Sequence, residues 1–140
     1  MMKEIVDFLK EAGTFFLATT DAGGHPRVRP FGAFAVKDKE FFLATNDYKK
    51  VYHQLKGNPR FEICANLPHK QQWLRINGDV VFPEQTEELK TFFLDANPGL
   101  KEIYPTEEAQ KSIVIFRLNK AGAHILSYSS DKPVHSYCIG

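Results

Sequence analysis

Cysteine is scarce. Cys64 and Cys138 are the only two in 140 residues, and neither stands in a CxxC or other ligand spacing. The five histidines, His25, His53, His69, His124 and His135, are scattered along the chain. A zinc site is therefore not expected, and two lone thiols suit a reducing, cytoplasmic compartment. An excess of charge of one sign is also missing: 18 Lys and Arg face 17 Asp and Glu, for a formal net charge of +1. Such a chain has no global field to gather nucleic acid, so any anion site has to be a local cluster, and no nucleic-acid partner is expected. No apolar run is long enough to span a bilayer, and the opening MMKEIVDFLKEAG carries acids inside its apolar pattern, so neither a leader peptide nor a membrane partner is expected. The glycine fingerprint GxGxxG and the lysine-bearing phosphate loop are absent as well, which removes the usual parallel nucleotide-binding folds. Repeats, linkers and low-complexity segments are lacking, so one domain over 1–140 is expected.

Aromatic surface is what the chain has in quantity. Aromatics make up 13% of it, and twelve of them are Phe. That much ring area needs a dense core or a planar ligand. With 43% hydrophobic and 25% charged residues, an ordinary folded domain is expected. The spacing of Ile5, Phe8, Leu9 and Ala12 before Gly13 predicts a helix over 2–12. TFFLATT (14–20), the stretch 25–36 and FFLATN (41–46), separated by the turns DAGG and KDKE, predict three strands of an antiparallel meander. A short helix over 47–59 follows, with Asn46 or Asp47 as N-cap and Gly57 and Pro59 as terminators. RFEICANL (60–67) alternates as a strand does. QQWLRINGDVVF (71–82) reads as a long strand bent or bulged at Gly78. A helix over 83–99 ends at Asn-Pro-Gly, and 98–111 reads as a loop with one helical turn at 106–111. SIVIFRL (112–118) and GAHILSYS (122–129) read as two closing strands around NKAG. Together these predict a mainly β, α+β fold: a six- to seven-stranded antiparallel barrel with three short flanking helices.

Two stretches carry candidate chemistry. In LATNDYKKV (43–51) a strand ends at Thr45 and Asn46, and a helix begins with Lys49 and Lys50 in its first turn. Free N–H groups and the positive dipole end favour an anion there, and cations in that turn are unfavourable without one. Two solvated surface lysines are the plainer alternative. In GHPRVRPFGAFAV (24–36) an extended 26–31 puts Arg27, Arg29 and Phe31 on one face and Val28, Pro30 and Gly32 on the other. In a meander this strand adjoins the third, which brings an arginine beside the two lysines. Pro30 lacks an N–H, so a neighbouring carbonyl needs another donor, as a ring with N–H and C=O groups would offer. Alternatively the arginines pair with Asp79 or Glu62, and Pro30 blunts an edge strand. Tyr128 reads as packing.

The ordered set GHPRVRP, FFLATNDYKKVYHQL, NPRFEICANL and WLRINGDVVF resembles the pyridoxamine-phosphate-oxidase-like flavoproteins, with their FMN-binding split β-barrel, over roughly residues 1–130. It looks closest to the small, nitroimidazole-reductase-like members. The resemblance implies FMN bound at a homodimer interface. By it, Arg29 lies near the flavin phosphate, and Pro30, Phe31 and Gly32 form the strand whose backbone follows the isoalloxazine. Thr45 and Asn46 form the strand-end polar pair, and Lys49 and Lys50 hold the phosphate. Trp73 and Arg75 meet the flavin of the partner subunit; the oxidases proper have glutamine where Trp73 stands. The C-terminal arginine, histidine and tryptophan signature of pyridoxamine phosphate oxidation is missing from 112–140. The implied function is an FMN-dependent oxidoreductase passing electrons from a reduced nicotinamide or other donor to a small acceptor, with no catalytic residue assigned. The alternatives are a flavin- or haem-binding protein without turnover and a nucleic-acid-binding barrel built on Arg27, Arg29, Lys49 and Lys50.

Overall fold

The computed structural model describes residues 2–140. In chain order it runs α1 (Met2–Ala12), β1 (Phe15–Thr20), β2 (Pro26–Phe31), β3 (Ala35–Lys37), β4 (Glu40–Asn46), α2 (Lys50–Gly57), β5 (Arg60–Leu67), β6 (Gln72–Val81), α3 (Glu87–Ala96), α4 (Gly99–Ile103), α5 (Glu107–Gln110), β7 (Ile113–Ser127) and β8 (Pro133–Ile139). A single 3₁₀ turn, Pro68–Lys70, joins β5 to β6. All pairings are antiparallel, in the order β2-β1-β5-β6-β7-β4-β3, with β8 added to β7. The result is a mainly β split barrel with short helices, as its sequence implies, but with eight strands rather than six or seven.

Local rules explain most elements. Ile5, Phe8 and Leu9, at helical spacing, are buried under α1. β5 alternates strictly, with Phe61, Ile63, Ala65 and Leu67 inward and Glu62, Cys64 and Asn66 outward. Thr86 caps α3 by accepting from the Leu89 N–H at 3.1 Å, and Glu87 and Glu88 occupy its first turn. Two apolar clusters result. One fills the barrel around Phe15, Leu17, Phe41, Leu43, Ile63 and Phe116. The other packs α3 against β4 and β7 through Phe42, Phe93, Leu94, Ile113 and Ile115.

Four sequence expectations need correction. The stretch 25–36 is not one strand: it breaks at 32–34 into β2, paired with β1, and β3, paired with β4. β2 and β4 therefore do not pair, and the three-strand meander does not form. NKAG is not a turn: β7 runs unbroken through it. Lys120 takes φ 50° there, and the β6–β7 register shifts between Asn77 and Asp79. The bulge at Gly78 is where it was expected. A Cβ on Gly78 would lie 2.7 Å from Ala121 Cα and 2.8 Å from the Lys120 carbonyl oxygen, so only glycine lets the strands approach. The loop read over 98–111 contains α4 as well as the helical turn expected at 106–111, which is α5. Finally, β8 was not expected, because only Ile139 of its seven residues is buried.

Candidate cofactor site

The site begins at a triangle of side chains beneath α2. Arg27, Arg29 and Phe31 do point to one face of β2, opposite Thr19, Leu17 and Phe15 of β1. Arg29 donates from Nη1 to Thr19 Oγ1 at 2.8 Å and to the Leu17 carbonyl at 3.1 Å, and from Nη2 to Gln54 Oε1 at 2.7 Å. The Thr19 hydroxyl donates to the same Gln54 oxygen at 2.6 Å. Gln54 reaches this point because α2 seats Val51 and Leu55 in the core and leaves position 54 facing β1. All of these acceptors are neutral. No carboxylate lies within ion-pair distance of Arg29 among the described residues, and burial pushes its pKa down. Its Nε–H remains available for an anion.

Arg27 behaves differently. Its Nε pairs with Asp21 Oδ2 at 2.9 Å. Asp21 also accepts from the backbone N–H groups of His25 and Gly23. The His25 N–H is the chief cause of the Asp21 carboxyl falling to about 2, with Arg27 and Gly23 adding to it. Neither arginine contacts Asp79 or Glu62.

The helix start completes the cationic end. The N-cap of α2 is Lys49, not Asn46 or Asp47. Its side chain makes no cap hydrogen bond, and no acid stands in the first turn. Lys49 and Lys50 have no ion-pair partner among the described residues. Positive side chains here, at the positive end of a helix dipole, are unfavourable unless an anion joins them. Asn46 is instead built into the wall: Nδ2 donates to Ser112 Oγ at 2.9 Å, and Oδ1 accepts from the Tyr104 hydroxyl at 2.9 Å.

These groups border two continuous hollows. One, a cleft of about 210 Å³, is lined by Arg29, Pro30, Phe31, Gly32, Ala33, Ala44, Thr45, Asn46, Lys49, Val51, Leu100, Tyr104 and Ile113. The other, a groove outside it, is bordered by Arg27, Arg29, Lys49, Lys50, Asp21 and Gln54. Seven of the ten expected site residues thus line the cleft, and Lys50 lies on the adjoining groove. Arg29 and Lys49 border the same cleft although β2 and β4 do not pair, since residues 32–34 carry the chain from β2, at one end of the strand order, to β3 beside β4 at the other. Sequence reasoning missed Leu100, in α4, and Tyr104, the residue that ends it, in a segment without periodicity. It also missed Gln54, which sits four residues after Lys50.

Trp73 and Arg75 are elsewhere. They lie on the outer face of β6, paired with Asn66 and Cys64 of β5. The Arg75 guanidinium lies 4.8 Å from the Trp73 ring centroid, and its Nε sits 3.1 Å from Glu62 Oε2. The same outer face exposes Phe16 and Val28, 47% and 67% accessible.

The family model for pyridoxamine 5'-phosphate oxidase matches residues 1–125. The chain belongs to this family. It is 32% identical to a NimC/NimA family protein from Clostridium acetobutylicum. The two structures align with a TM-score of 0.82 over 99% of this chain and 93% of that one. It is 26% identical over 104 residues to the pyridoxine/pyridoxamine 5'-phosphate oxidase of Rhodopirellula baltica, covering 74% of this chain and 46% of that protein. The chain thus spans less than half the length of that curated relative. At lower identity the fold recurs in an FMN binding protein from Nostoc punctiforme, at 13% identity and TM-score 0.63, over 99% of this chain and 94% of that one. It recurs also in HutZ, the haem storage protein of Vibrio cholerae, at 22% identity and TM-score 0.58, over 84% and 87%. No helix among the described residues is long and apolar enough to cross a membrane.

Proposed function

We propose that this chain is an FMN-binding oxidoreductase that works as a homodimer and passes electrons from a reduced nicotinamide to a small acceptor. One observation carries the reading. A part-buried arginine without an acidic partner and Lys49, at an uncapped helix start, line a mostly apolar cleft, with the unpaired Lys50 on the adjoining groove. That arrangement suits a planar molecule ending in one phosphate. Arg29, Lys49 and Lys50 hold the phosphate by charge-assisted bonds. Pro30, Phe31 and Gly32 run along the ring, with Thr45 and Asn46 at its polar edge. The flavin supplies the electron chemistry, and the chain supplies orientation and electrostatics.

Cleft size supports the second copy. At about 210 Å³ the cleft is smaller than the roughly 300–1,000 Å³ of ordinary ligand sites. Pro30 lines it and is also exposed on the outer face of β2 beside Val28 and Phe16. A second chain seated on that face would cover the apolar side chains and extend the cleft wall, and Trp73 and Arg75 would contribute from the partner. For haem the cleft lining offers no histidine, cysteine or methionine, and Tyr104 is the one axial-ligand type on it. The free thiols Cys64 and Cys138 suit the cytoplasm.

The turnover claim is tested anaerobically. Adding NADH or NADPH to the FMN-loaded protein is expected to bleach the flavin bands. Bleaching by dithionite but by neither nicotinamide would leave a flavin-binding protein and remove the proposed donor.

A further inference from the structure

The flavin reading above, on which this inference rests, gives Arg29 to the phosphate and leaves the residue that sets Arg29 without a task. Gln54 Oε1 receives two bonds, from Arg29 Nη2 at 2.7 Å and from the Thr19 hydroxyl at 2.6 Å. Thr19, 3% exposed, accepts in turn from Arg29 Nη1 at 2.8 Å. The directions of these bonds are forced. A guanidinium only donates, so the amide has to turn its carbonyl oxygen to Arg29, and the one Thr19 proton goes to that same oxygen. Gln54 therefore serves the triangle as an acceptor.

A carboxylate at this position would take the same two bonds. It would take them more strongly, because bonds to an ionised acceptor exceed those to a neutral one. It would also pair a part-buried guanidinium that has no other acid in reach, a state that costs stability when left uncompensated. Fold stability alone thus favours an acid at position 54, and the chain has an amide. The surroundings withhold acids in the same way. Residues 49–57, KKVYHQLKG, carry three lysines and neither Asp nor Glu. Asp21 is the one carboxylate bordering the groove on which Gln54 lies. It is occupied by Arg27 Nε at 2.9 Å and by the backbone N–H groups of Gly23 and His25. Arg29 is held by neutral oxygens, those of Thr19, Gln54 and the Leu17 carbonyl, and its charge stays whole.

We propose that Gln54 is the positioning residue for the phosphate arginine: through Oε1 it fixes the Arg29 guanidinium without neutralising it. An acid in its place would hold the side chain as firmly and cancel its attraction for an anion. Neutrality at position 54 is what makes the triangle a phosphate site and not an internal ion pair. The role acts through Arg29 and needs no contact between Gln54 and the ligand.

The test titrates variants with FMN and with riboflavin, following flavin fluorescence. Gln54→Glu keeps the shape and the accepting oxygen and adds a charge. It is expected to weaken FMN binding about ten- to a hundredfold, as though the arginine were lost, and to leave riboflavin binding where it was. The free variant should unfold at the same denaturant concentration as the unaltered protein or at a higher one. Gln54→Met is neutral and similar in size but lacks the oxygen. It should weaken FMN roughly 2- to 10-fold for one ordinary hydrogen bond, and should change nothing further once Arg29 is already alanine. FMN binding undiminished by Gln54→Glu, or equal loss of FMN and riboflavin, would overturn the proposal. So would a destabilised Gln54→Glu protein, which would make the amide a choice of the fold. A Gln54→Met effect as large without Arg29 as with it would make Gln54 a direct ligand and overturn the positioning role. Failure of the unaltered protein to take up FMN would instead remove the flavin reading, and this proposal with it.

Discussion

FMN affinity should fall roughly 10²- to 10⁴-fold when Arg29, Lys49 and Lys50 all become alanine, and riboflavin affinity should stay where it was. The range follows from two or more charge-assisted bonds at about 1.5–3 kcal/mol each, with a factor of ten for every ~1.4 kcal/mol. Arg29→Ala alone, or the Lys49 and Lys50 pair alone, should each cost about ten- to a hundredfold by the same reasoning. Riboflavin lacks the phosphate, so it has nothing to lose at this end of the cleft. The Arg29 variant has a second effect. Thr19, the Leu17 carbonyl and Gln54 all accept from that guanidinium, and Thr19 is 3% exposed. Leaving such groups unpaired costs about 1–3 kcal/mol of stability, which a denaturation curve reads separately. The lysine pair makes no such internal bonds, so its variant isolates the phosphate contact. His69→Ala, at an exposed pair with Glu11, should change neither ligand. Equal loss of FMN and riboflavin in the Arg29 variant would make Arg29 a support of the barrel or the ring, not a phosphate ligand.

Phe16→Asp with Val28→Asp should split the dimer and carry FMN affinity down with it by about a hundredfold or more. Both side chains are exposed on one chain, so the substitutions cost the isolated fold little. In an obligate interface of roughly 2,000 Å² or more, two carboxylates would be buried without partners, at a cost of several kcal/mol each. Light scattering should fall from the mass of two chains to the 16.0 kDa of one. A variant that stays dimeric would place the interface elsewhere. A monomer with undiminished FMN affinity would show that the 210 Å³ cleft is sufficient in one chain.

Much of the fold was legible because local rules and tertiary structure agree. β5 alternates, α1 buries one stripe, and Gly78 stands where two strands nearly touch. The misreadings have physical causes. The Gly32–Phe34 connection belongs to no ladder, yet it follows a strand with only one exposed turn signal before it, so 25–36 looked continuous. NKAG has the composition of a turn, but Lys120 absorbs the positive φ and lets β7 continue across the bulge opposite Gly78. β8 shows no apolar alternation because it is an edge strand with one buried residue.

The site divides the same way. The place of Lys49 and Lys50 at a helix start was readable from the change of period after Asn46, although local sequence alone favoured two solvated lysines. Arg27 and Arg29 share a face of the same strand, and only the family resemblance told them apart. The order of strands that brings Arg29 and Lys49 to one cleft was not readable, since it depends on the chain crossing from β2 at one end of the sheet to β3 at the other. Tyr104 gave no signal at all: α4 and α5 are too short to show a period, and its partner Asn46 lies 58 positions away.

The most direct measurement is the absorbance spectrum of the purified protein, followed by mass analysis of whatever denaturation releases. The account predicts flavin bands and a released mass equal to FMN, at one per chain. A released mass equal to FAD, a haem Soret band, or a colourless protein that takes up no FMN on incubation would contradict it.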